Sequence, residues 1–224
     1  MAKTDEIAHR LAELLEPDVP SFRYHRSRAQ LRKAGKPFSD DLIIDVTSRD
    51  GSYAIAFYVG VAHADVERFV ADIEERKVTP YDRSIFQYSP NVGKQDVLPF
   101  TGPGWWWGLP SDGDLGRIGQ EIRQFISGFV LAYHDHFHDV TVIRDSLVTR
   151  NGLSIGSYPF KQVLAIDSLL SDRKHVASYV KLLQKEIDSG YHHHWKEFNV
   201  YYERLSRTNA DLFPAFKLNP KSRA

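Results

Sequence analysis

Apolar residues recur along this chain with two periods, one near 3.6 and one near 2, and the switches between them predict an α+β fold. Alternation is clearest across Asp41–Arg49 and Ser52–Val61, which flank Asp50-Gly51, a dipeptide suited to a two-residue type I′ hairpin loop. That loop pairs Val46 with Ile55, Ile44 with Phe57 and Leu42 with Val59 on one face, and Thr47 with Ala54 and Asp45 with Ala56 on the other. The helical period appears first at 4–16, where Thr4 is placed to cap and Ile7, Leu11, Leu14 and Leu15 form a stripe ended by Pro17 and Pro20. It returns at 64–77 through Val66, Phe69, Val70 and Ile73, before Pro80. The longest stripe runs Leu115, Ile118, Ile122, Phe125, Ile126, Phe129, Val130, Tyr133, after a start rich in capping and acidic residues (Ser111, Asp112, Asp114).

Shorter signals fill the gaps. Phe22–Pro37 reads as an exposed strand turning at Ala34-Gly35-Lys36-Pro37, and 84–101 as two short strands, Ile85–Tyr88 and Val97–Phe100. Residues 139–148 fit strand and helix equally. Asn151-Gly152 opens a linker of small residues up to Pro159, after which 159–170, 172–189 and 191–207 are helical; Trp195, Phe198, Tyr202 and Leu205 mark the last stripe. The expected architecture is a small, mainly antiparallel sheet covered by helices. Its organisation reads as an α+β domain over 1–150 with a helical extension, 151–224, packed on it.

Composition narrows the function classes. Lysine plus arginine and aspartate plus glutamate number 29 each, and this neutrality speaks against a general binder of nucleic acid or anionic membrane. The absence of cysteine removes disulfides, thiol catalysis and thiolate zinc sites. The first residues lack the apolar run of a secretory leader, and no stretch approaches the ~20 apolar residues that span a bilayer, so a cytoplasmic protein is expected.

Residues 102–110 read Gly-Pro-Gly-Trp-Trp-Trp-Gly-Leu-Pro, placing three of the four tryptophans in succession between chain breakers. In an extended segment Trp106 points away from Trp105 and Trp107, so the three rings cannot share one core. Two rings packed under the sheet and a third at the surface satisfy that geometry, and an exposed indole is a common interface anchor.

The hairpin 42–61, ending Phe57-Tyr58-Val59-Gly60-Val61, is followed by Trp106-Trp107, by the helix from Asp112, and by Gln162–Leu170 with a second helix after it. This order resembles a bacterial α+β family of unknown function, some of whose members look like toxin-immunity or accessory proteins. The resemblance implies the same fold and a binding role. It brings no catalytic residues.

Two clusters carry competing chemistry. In a strand, His134, His136 and His138 would share a face and hold a metal for hydrolysis; in a helix, His134 and His138 pair while His136 points away. The preceding stripe favours a helix that ends within this run, with histidines near its last carbonyls. His192-His193-His194 diverges by about 100° per residue on a helix and cannot converge on one ion. The basic segment carrying Arg23, Arg26 and Arg28 beside Phe22 and Tyr24 suits phosphates or single-stranded bases, although charged edge strands also deter sheet-edge pairing. Nucleotide-binding glycine loops, the Gly-x-Ser-x-Gly elbow and His-Glu-x-x-His are all missing, and no motif calls for a cofactor. The resulting expectation is a binding protein that engages a protein partner through an aromatic patch at Trp105, Trp106 and Trp107. A metal-dependent hydrolase built on the histidines and a nucleic-acid accessory protein built on the arginines are the alternatives.

Overall fold

The hairpin centred on Asp50-Gly51 forms the spine of the sheet. In a computed structural model, β3 (Phe38–Arg49) and β4 (Ser52–His63) pair antiparallel over their full lengths, with the register Val46–Ile55, Ile44–Phe57 and Leu42–Val59 that the alternation requires. Asp50 and Gly51 have φ of 34° and 79°, the two left-handed residues of a type I′ turn. The structure describes residues 3–78, 86–88, 106–110, 115–149, 159–189 and 194–219. Of the positions noted in the sequence, Trp105, Ser111, Asp112, Asp114, His192, His193, the segment 97–100 and the linker 151–158 lie outside them.

Among the described residues, six strands make the sheet. The segment expected to be one exposed strand is instead a pair, β1 (Arg23–His25) and β2 (Gln30–Lys33), joined by a 3-10 turn at Arg26–Arg28 and a left-handed Ala29 with φ of 47°. Far from being exposed, β2 buries Gln30 and Leu31 completely, because it pairs with β3 inside the sheet. Gly35 serves the turn into β3, since a Cβ there would meet the carbonyl oxygen of Phe38 at 2.5 Å. The other edge of β4 is shared by β5 (Phe86–Tyr88), opposite Val59–Val61, and β6 (Trp106–Pro110), opposite Ser52–Ala56.

One face of β3 and β4 is covered by helices. Here α1 (Lys3–Leu15) packs on β3 and on α3 (Leu115–Phe125), while α3 also meets β6. The apolar stripe continues without a break through a π-helical turn at Ile126–Val130 into α4 (Leu131–His136). Its rings form a ladder under the sheet, Phe125 on Phe129 at 5.6 Å, Phe129 on Tyr133 at 5.7 Å and Tyr133 on Phe137 at 4.6 Å between centroids. The ambiguous segment is a helix, α5 (Val140–Thr149). Asp139 caps it by accepting from the N–H groups of Thr141 at 2.7 Å and Val142 at 3.4 Å, which decides between the two readings.

The chain divides into two compact units, residues 1–64 with 84–155 and residues 65–83 with 156–224. The second contains α2 (Ala64–Ile73) from Asp65 onward, α6 (Phe160–Leu170), α7 (Arg173–Asp188) and α8 (Trp195–Thr208). At its α6–α7 corner, Ser171 is left-handed, Asp172 caps α7 by accepting from His175 N–H at 3.0 Å, and the His175 ring bonds buried Asp167 at 2.8 Å. This is an α+β fold with a helical C-terminal part. Among the described residues, no helix is long and apolar enough to cross a membrane.

Candidate functional site

Two neighbouring aspartates sit inside the sheet where β3 begins. Successive side chains of a strand face opposite ways, so Asp40 shares the helix-covered face with Leu42 and Ile44, while Asp41 shares the other with Ser39 and Ile43. Both are buried, at 2% and 1% exposure, a costly place for charge unless each is paired. The register supplies the partners, because Arg32 lies opposite Asp41 and Lys33 opposite Asp40.

On its face, Asp40 Oδ1 meets His138 Nε2 at 2.6 Å and Oδ2 meets Lys33 Nζ at 3.5 Å. Phe38 stacks on the His138 ring at 4.8 Å and presents its ring edge-to-face to His63 at 4.8 Å. On the other face, Gln30 Nε2 donates to Asp41 Oδ1, Arg32 Nε lies 3.7 Å from that oxygen, and Arg32 Nη2 donates to Ser39 Oγ at 2.8 Å. A carboxylate orienting an imidazole is the supporting half of an acid–base device. The adjacent hydroxyl, however, belongs to Ser39 on the opposite face of β3 and accepts from Arg32. The charges therefore close on one another, clasping the end of α4 to the start of β3.

His134 completes the junction. It is 2% exposed, and its Nε2 lies 3.4 Å from the Asp41 carbonyl oxygen, which can only accept, so Nε2 carries the proton. Burial pulls its pKa down to about 4, outweighing the opposing pull of Asp40 and the Asp41 carbonyl. This ring is neutral at physiological pH.

The three histidines that the alternative metal reading groups together thus occupy three environments. The segment is helical, not extended; His134 is buried, His136 is exposed and His138 turns to Asp40. Among the described residues, no group of three or more His, Asp or Glu side chains is arranged to hold a metal ion. Arg23 is exposed on β1, whereas Arg26 and Arg28 fall in the 3-10 turn, the first exposed and the second half-buried.

Of the expected aromatic patch, Trp107 belongs to the core. It lies opposite Ile55 in β6, is 5% exposed and packs edge-on against Phe57 and Phe125, each at 5.7 Å. Alternation along β6 turned this ring inward with Leu109, which is also buried. Trp106 is described by its backbone alone.

An aromatic side chain that the sequence reading passed over stands out on the C-terminal unit. Phe216 is 39% exposed and lies between two hollows of about 300 and 260 Å³, both bordered by Ala215 and Phe216. The segment bearing it is pinned by two reciprocal amide clamps. Asn199 Nδ2 donates to Leu218 O at 2.8 Å while Leu218 N–H donates to Asn199 Oδ1 at 2.7 Å. Gln184 likewise donates to Asn219 O at 2.9 Å and accepts from Asn219 N–H at 3.2 Å. The Phe216 ring also rests edge-on against Tyr202 at 6.2 Å. Around these hollows lie Arg173, Lys181 and Lys217, none in an ion pair among the described residues, whereas Arg207 pairs with Glu203. A lone Phe after Pro214-Ala215 gives no periodic signal, so this surface was not legible before the tail was placed. No family model, no curated protein and no solved structure matches the chain.

Proposed function

We propose that this protein is a cytoplasmic binding protein, and that it engages a protein partner through the Phe216 surface of its C-terminal unit. The observation that carries the reading is the clamped placement of that ring. A ring fixed before association loses little conformational freedom on binding, and aromatic anchors next to open hollows are where interface energy concentrates. Val176, Ala177 and Val180 of α7 give one hollow an apolar floor. Arg173 and Lys181 at its edge, unpaired among the described residues, ask for a partner segment with apolar anchors flanked by carboxylates. An immunity-like or accessory role is the biological form of such binding, and it agrees with the resemblance of the sequence pattern. In this reading Phe216 takes the anchoring role expected of the aromatic patch at Trp105, Trp106 and Trp107.

Stoichiometric capture of a partner by the full chain tests this reading, with Phe216→Ala, Lys181→Glu and Trp106→Ala compared at matched folding. The reading expects Phe216→Ala and Lys181→Glu to lose the partner, and rising salt to weaken capture by wild type. A partner kept by both variants contradicts it, and one lost only with Trp106→Ala returns the contact to the tryptophan segment.

A further inference from the structure

A second concavity in the same unit has different chemistry and shares no lining residue with the Phe216 surface. It is a cavity of about 330 Å³, walled by α6, α8 and the chain just after α2. On α8 it takes Val200, Tyr201 and Arg204, a stripe separate from the Asn199, Glu203 and Ser206 stripe beside Phe216. Its volume is at the small end of ligand sites.

Four observations describe what it would hold. First, Tyr201 is 3% exposed, and its hydroxyl has no hydrogen-bond partner among the described residues. A buried hydroxyl left in that state costs free energy that an acceptor would return. Burial also holds this phenol far above its ordinary pKa, so it remains a donor, and the charges of Glu74 and Arg76 bear on it. Second, Arg204 spends one Nη1–H on the Ile73 carbonyl at 3.0 Å, which fixes the guanidinium; no other bond occupies it among the described residues. Third, Lys161 and Lys196 line the cavity as well. Fourth, Glu74 is already engaged. Burial pushes its pKa up, but hydrogen bonds from Lys161 and from Arg76 at 2.6 Å outweigh that and hold it below the usual carboxylate range.

The lining therefore carries three cations, Lys161, Lys196 and Arg204, against two carboxylates, Glu74 and Glu197, a surplus of a single positive charge. We infer that this cavity binds a small organic monocarboxylate, whose oxygens accept from Tyr201 Oη and Arg204 and whose apolar part lies along Val200 and the tyrosine ring. A phosphate dianion would exceed the charge surplus beside Glu74, and an ammonium ion would meet Arg204 and Lys196. Each is disfavoured by like charge or by unmatched charge in a partly desolvated space.

Titration calorimetry of the full chain with benzoate, phenyl phosphate and benzylamine tests the assignment. Benzoate is expected to bind saturably and more tightly than the other two. Tyr201→Phe should weaken it about tenfold and Arg204→Met by at least as much, the range for a hydrogen bond to a charged group. Tyr201→Phe has a second readout, because removing an unsatisfied buried hydroxyl should leave the ligand-free melting temperature unchanged or raised. If Arg204→Met fails to fold, Tyr201→Phe alone decides. No saturable benzoate binding at millimolar concentration, equal affinity in Tyr201→Phe, or preference for phenyl phosphate or benzylamine would each overturn the inference. Loss of the partner in Phe216→Ala leaves this result untouched, so the two readings fail separately.

Discussion

His138 and Asp40 meet at 2.6 Å across 98 positions of sequence, and this one contact ties the end of the long helical stripe to the first residues of the central hairpin. Asp40 lies inside the sheet while His138 is 31% exposed, so the pair spans the boundary between core and water.

Asp40→Asn keeps the size and hydrogen-bonding reach of the side chain but removes the charge that faces both His138 and Lys33. Breaking a fully buried pair costs about 3–5 kcal/mol. Both partners here reach water, so a loss nearer 2 kcal/mol is expected. Urea unfolding at neutral pH reads this as a lower midpoint with an unchanged slope. An unchanged midpoint would remove the clasp from the account.

His134 sets a pH dependence whose sign follows from its burial. Its pKa is about 4 when folded against 6.5 for the free side chain, so between those values the unfolded chain binds the extra proton. Stability from this group is complete above pH ~6.5 and is lost as pH falls toward ~4, a total on the order of 3 kcal/mol. Denaturant midpoints measured across this window should fall in wild type and fall less in His134→Leu. A wild-type midpoint that rises on acidification would contradict a neutral, buried His134.

Trp107 should behave as a core residue. Replacing it by alanine removes the ring that contacts Phe57 and Phe125, and such truncations cost about 3–5 kcal/mol. Trp107→Phe keeps an aromatic ring and drops an indole Nε1–H that finds no acceptor among the described residues, so it should lose far less. Thermal unfolding of the two variants separates these outcomes. Equal melting temperatures for wild type and Trp107→Ala would return this ring to the surface.

Local chemistry made the hairpin legible: Asp50-Gly51 admits few turns, and a slip of one residue would have turned Phe57 and Val59 outward. Burial of Trp107 followed from the same alternation once β6 was known to pair with β4. The first strand pair was harder to see, because its reversal uses a left-handed Ala29 instead of a glycine. Val140, Thr141 and Val142 hid α5 behind residues that favour strands, and the cap at Asp139 was the local sign that outweighed them. The aspartate cluster left a faint trace: adjacent Asp40 and Asp41 come just before the apolar run Leu42, Ile43 and Ile44, and Arg32-Lys33 precede the turn. Only the pairing of β2 with β3 brings those cations into register with them. The Phe216 surface and the Tyr201 cavity depend on how α6, α7, α8 and the tail pack together, and no short-range pattern encodes that.

The central claim is that the clamped Phe216 ring and its basic edge form the surface that binds a protein segment. The most direct measurement selects a random peptide library on the immobilised full chain and measures the affinity of the enriched peptides for wild type, Phe216→Ala and Lys181→Glu. The account predicts peptides that combine a bulky apolar anchor with aspartate or glutamate, bound at least tenfold more weakly by both variants, in keeping with a truncated anchor or a reversed charge at an interface. Peptides rich in lysine or arginine, or ones held equally well by Phe216→Ala, would contradict it.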